Sequence, residues 1–101
     1  MAIDPVTLVL LSDKVVQTVF KEILKNRSAI FKELFPSLGK STEDPDDRKE
    51  VESAVSRLKK ADLIKERTAE IEDFNSYYVT SDGLSAERQL HLIDDPKLGA
   101  S

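Results

Sequence analysis

The chain has 101 residues, 40% hydrophobic and 34% charged, a composition suited to one folded domain with one core and not to a disordered segment. It contains no cysteine, which excludes disulfides and thiolate metal sites. Its formal net charge of −4 means that any nucleic-acid face must be a local basic stripe on an acidic protein.

Asp4 and Pro5 form a helix start, with a capping oxygen followed by a residue whose missing N–H is no loss in the first turn. Helical spacing then carries Val9, Val16, Val19, Phe20, Ile23 and Leu24, which predicts a helix to about Asn26. The stretch from Val6 to Leu11 is apolar almost all round, so residues 5–24 are a candidate homodimer seam, with plain core as the alternative. A second helix is expected from Ser28, burying Ile30, Phe31, Leu34 and Phe35 and ending at Pro36 and Gly39. Residues 36–44 read as a loop.

The third helix has the clearest signals. Asp44 caps, Pro45 takes the first position, and Asp46 and Asp47 put negative charge where the helix dipole favours it. The stripe Val51, Ala54, Val55, Leu58, Ala61 predicts a helix over 45–61. Residues 65–71 and 76–79 read as two strands joined by a turn at 72–75, and Thr80 or Ser81 starts a last helix carrying Leu84, Ala86, Leu90 and Ile93. The domain is therefore expected to span residues 1–94, with 95–101 as a tail.

Two stretches carry a resemblance to a known family. Residues 51–64, ending Arg57-Leu58-Lys59-Lys60-Ala61-Asp62-Leu63-Ile64, resemble the recognition helix and following turn of bacterial winged-helix regulators. Asp62 stands where those families usually carry glycine, and aspartate tolerates the left-handed backbone better than most residues. Tyr77-Tyr78-Val79-Thr80-Ser81-Asp82-Gly83 is similar to the wing strand and helix start of the multiple-antibiotic-resistance and PadR-type regulators. Over residues 28–92, the resemblance implies a mainly α fold with a small β-hairpin: a winged helix-turn-helix of a three-helix core, a two-stranded wing and a C-terminal helix. Two departures stand out: the loop over 36–44 is long for a helix-turn-helix, and the hairpin tip at 70–73 is acidic.

The resemblance implies double-stranded DNA as partner and transcription regulation as role, with the helix over 45–61 in the major groove. On a wheel of roughly 100° per residue, Lys49, Ser53, Ser56 and Lys60 oppose the apolar stripe, with Arg57 on one flank. Arginine can grip guanine through two hydrogen bonds, serine can reach bases or phosphates, and lysine neutralises phosphates; Arg67 on the first strand, with Lys40 and Lys65, could add phosphate contacts. The competing expectation is a winged-helix protein-interaction module without DNA binding. In that reading Glu70, Glu72, Asp73, Asp46 and Asp47 face a basic protein partner.

Enzyme chemistry finds little support. His91 is the sole histidine and no phosphate-cradling glycine loop is present, so neither an active site, a cofactor nor a metal is expected. Phe31 and Phe35 read as core, whereas Tyr77 and Tyr78 must point to opposite faces of a strand, one inward and one outward. The longest apolar run is far short of the ~20 residues that cross a bilayer, and Asp4 stands where a secretory signal carries basic charge. The expected location is the cytoplasm, with no membrane contact.

Overall fold

The computed structural model describes residues 5–94, which form four helices and a small antiparallel sheet around one hydrophobic cluster. The tail expected over 95–101 and the Asp4 cap lie outside the described residues, as does the side chain of His91.

The single first helix expected over 5–26 is two helices, α1 (Pro5–Ser12) and α2 (Lys14–Lys25). Asp13 makes the break: its carboxylate accepts the N–H groups of Val15 (2.9 Å) and Val16 (3.3 Å) and so caps α2. The Gln17 side-chain amide donates to the Leu11 carbonyl at 3.1 Å, satisfying an acceptor that the interrupted helix leaves open. Leu10 and Leu11 are buried while Val9 is 71% exposed, so Val9 leaves the expected core stripe. The stripe of α2 holds as expected, with Val16, Val19, Phe20 and Ile23 sealed from solvent.

Arg27 takes φ 65°, which turns the chain out of α2 and into β1 (Ser28–Ile30), where a second helix was expected. The three residues pair with β3 (Ser76–Val79), Ser28 opposite Tyr78 and Ile30 opposite Ser76. Two 3-10 turns, Phe31–Leu34 and Pro36–Leu38, follow in place of an α-helix, and Gly39 closes the second at φ 66°. At three residues per turn, Phe31 and Leu34 still share the inner side. Phe35 meets Phe31 edge to face, with centroids 5.1 Å apart.

α3 (Pro45–Lys60) starts as its sequence dictates, the Asp44 carboxylate accepting the Asp46 N–H at 2.9 Å. Val51, Ala54, Val55 and Leu58 are buried, and Asp62 adopts φ 61°, the left-handed turn expected in a glycine position. β2 (Ile64–Arg67) then pairs with β3, giving three strands in the order β1-β3-β2. The strand expected over 65–71 stops at Arg67 because the chain curls inward: buried Asn75 accepts the Ala69 N–H at 2.7 Å through its side-chain oxygen.

α4 (Ser81–Asp94) is preceded by Thr80, whose hydroxyl accepts the Gly83 N–H at 3.0 Å and donates to the Asp62 carbonyl. A Cβ on Gly83 would lie 2.2 Å from the Leu63 carbonyl oxygen, so glycine is what lets α4 approach the turn after α3. With Gly83, Ala86 and Leu90 inward, Leu84 falls about 100° off that stripe and is 42% exposed, against expectation.

Candidate nucleic-acid interface

α3 packs its apolar stripe against α2 and the inner side of β2, which leaves its opposite side to solvent. Lys49, Ser53, Arg57 and Lys60 are exposed along that side. At 1.5 Å rise per residue they cover about 16 Å of helix. Lys49 and Lys60 form no ion pair among the described residues. Arg57 reaches the Asp13 carboxylate at 3.3 Å, tying α3 to the first turn of α2. Both side chains of that pair are about half exposed, so it is weak and exchangeable.

The six residues singled out in the sequence do not share one surface. Lys49, Glu50, Ser53 and Arg57 line a cleft closed on its other side by Asp13, Val15 and Val16. Arg57 and Lys60 rim an apolar groove floored by Val9, Leu10 and Ala61. Ser56 is half-buried and turns instead toward the hairpin, into a pocket with Glu52, Lys59, Glu66 and Tyr77. Arg67 stands on the far side of the sheet: it alternates with Glu66, which faces α3, and shares its side with Lys65. Lys40 is held between Glu50 (2.9 Å) and Asp47 (3.7 Å).

The pocket between α3 and the hairpin is acidic. Glu52, Glu66 and Glu72 line it, and Lys59 answers only Glu66, at 2.9 Å. A hydrogen bond to Glu72, then burial and the charge of Glu72, hold the Glu52 carboxyl above the usual carboxylate range. Burial pushes the Tyr77 phenol well above its ordinary value, with the Glu66 charge adding to the shift.

The acidic hairpin connection does not project as a free wing tip. Arg48 of α3 bonds Asp73 at 2.8 Å and Glu72 at 2.5 Å, donates to the Thr42 carbonyl at 3.0 Å, and lies over the Phe31 ring at 5.3 Å. Two acids expected to meet a partner are thus turned back onto α3. No local sequence signal marks this latch, because its partners lie 24 and 25 residues away.

Among the described residues no group of three or more His, Cys, Asp or Glu side chains is placed to hold a metal ion. No described helix is long and apolar enough to cross a membrane. Compared with protein-family models, curated proteins and solved structures, the chain gives no significant match.

Proposed function

We propose that this is a winged-helix DNA-binding protein, a small cytoplasmic transcription regulator that presents the outward side of α3 to the major groove. The observation that carries the reading is the run of Lys49, Ser53, Arg57 and Lys60 on the exposed side of a helix whose other side is buried, followed by the paired strands β2 and β3 of the three-stranded sheet and a further helix. Lys49 and Lys60 neutralise phosphates, Arg57 leaves Asp13 to read a base, and Ser53 bonds to either. Ser56 supports the helix from its hairpin side, and Arg67 takes no part in the groove. A second copy, meeting the first through α1 around exposed Val9, would present two such helices to half-sites about one helical turn apart.

The test is fluorescence anisotropy of a labelled mixed-sequence duplex at low and physiological salt. Binding is expected to weaken steeply with salt, and the Lys49→Glu/Lys60→Glu variant to flatten the log–log slope by roughly 2. Arg57→Ala is expected to cost about 1–3 kcal/mol and relax sequence preference. Absence of duplex binding even at low salt overturns the reading.

One observation favours a second reading, a protein-interaction module. In the pocket between α3 and the hairpin, Lys59 answers Glu66 and Arg48 answers Glu72, which leaves the Glu52 carboxyl without an ion pair among the described residues and open to a basic peptide side chain. Saturable binding of an oligolysine peptide that Glu52→Gln weakens, with no duplex binding, would select it.

A further inference from the structure

Strand alternation sorts the three-stranded sheet into two unlike faces. Tyr77 is 2% exposed and Tyr78 40%, so Tyr77 and its cross-strand partners Ala29 and Glu66 face inward. The outward residues are Ser28 and Ile30 on β1, Ser76 and Tyr78 on β3, and Lys65 and Arg67 on β2. Two cations and an aromatic ring stand on that face, and none of its strand positions carries a carboxylate. Neither Lys65 nor Arg67 forms an ion pair among the described residues, and both are exposed.

The geometry is that of a stacking platform with a charged rail. Lys65 lies directly opposite Tyr78, a pairing that sets their Cβ atoms about 5 Å apart, and Arg67 stands opposite Ser76, diagonal to the ring. Just before the strand, Phe74 is 47% exposed, and the Lys32 ammonium sits over its ring at 4.8 Å. Glu33, at the β1 edge, has its carboxylate engaged by the Ile30 N–H at 3.0 Å.

We propose that this outer sheet face binds single-stranded nucleic acid, with a base stacked on Tyr78 and the flanking phosphates on Lys65 and Arg67. Duplex DNA does not fit the same chemistry, since its bases present edges and not open ring faces to a flat sheet. An acidic peptide would answer the two cations but leave the exposed ring without a stacking partner. The proposal is independent of the α3 reading, because the two faces lie on opposite sides of the sheet.

The test uses the full chain and a labelled oligo-dT of about fifteen nucleotides, followed by anisotropy at low salt. The chain has two tyrosines, Tyr77 and Tyr78, and no tryptophan, so its emission comes from these two rings and the part lost in Tyr78→Phe is that of Tyr78. Saturable binding with quenching of that emission is expected. Tyr78→Ala should weaken binding roughly 5- to 100-fold and Tyr78→Phe should restore most of it, as base stacking requires. Lys65→Glu/Arg67→Glu should flatten the salt slope by about 1.4. An abasic oligonucleotide of equal length should bind more weakly than oligo-dT. Circular dichroism melts confirm that these surface variants are folded. Failure of the wild-type chain to bind oligo-dT at low salt, equal binding of the abasic strand, or tighter binding of polyglutamate would each overturn the assignment.

Discussion

The contact between α2 and α3 and the connection over residues 68–75 are held in different ways. Between the helices, Val16, Val19, Phe20, Ile23, Val51 and Leu58 are at most 1% exposed, and apolar burial fixes how α3 stands. The connection buries little besides Asn75. Ile71 and Phe74 are 58% and 47% exposed, and its place is set by Arg48 and the Asn75 side chain. One region is a packed platform, whereas the other is a polar latch that partial exposure weakens. The candidate DNA-reading side chains thus stand on a helix fixed by apolar packing and not on the polar latch.

Removing packing should have the largest effect. Phe20→Ala leaves a void where α2, with its stripe against α3, is fully sealed, and should lower unfolding free energy by about 3–5 kcal/mol in urea denaturation. A loss under ~1 kcal/mol would show that this core is not what holds α3. Arg48→Ala acts on the other region and should cost less, on the order of 1 kcal/mol globally. Its signature is local: the Ala69 and Asn75 amides should lose hydrogen-exchange protection while α3 amides keep theirs. Equal loss in both regions would erase the contrast.

The smallest effect expected is electrostatic. The folded protein holds the Glu52 carboxyl at a raised pKa, so it binds that proton more tightly than the unfolded chain does. The stabilisation from protonation is present in acid and is lost as pH rises through the raised value. Glu52→Gln, which cannot ionise, should therefore be slightly more stable than wild type at neutral pH. That advantage should fade as pH falls through the carboxylate range. Thermal melts across that range check the sign, and a variant less stable than wild type at neutral pH would contradict it.

What was legible in the sequence follows the same division. α3 could be read whole because cap, proline and apolar stripe all lie within it, and Asp62 announced its turn from a single position. Asp13 also carried a local signal, a capping side chain inside an apolar run, which the periodicity of residues 5–26 concealed. β1 carried none: its extended shape depends on β3, nearly half the chain away, and the spacing of Phe31, Leu34 and Phe35 satisfies a 3-10 turn as well as a helix. At the candidate site, the wheel of α3 placed Lys49, Ser53, Arg57 and Lys60 correctly on an exposed side. It did not show that Ser56 leans toward the hairpin. Alternation set Lys65 and Arg67 together, but only the tertiary contacts of Glu66 and Tyr77 tell which side of the sheet they share.

The most direct test of the central claim is a backbone amide NMR titration of the intact chain with an unlabelled duplex at low salt. Shifts are expected to concentrate in α3 from Lys49 to Lys60 and in the facing first turn of α2, with Lys65, Arg67 and Tyr78 little moved. Shifts centred on β2 and β3 with α3 unmoved, or none at all, would contradict the assignment of α3 as the DNA-reading element.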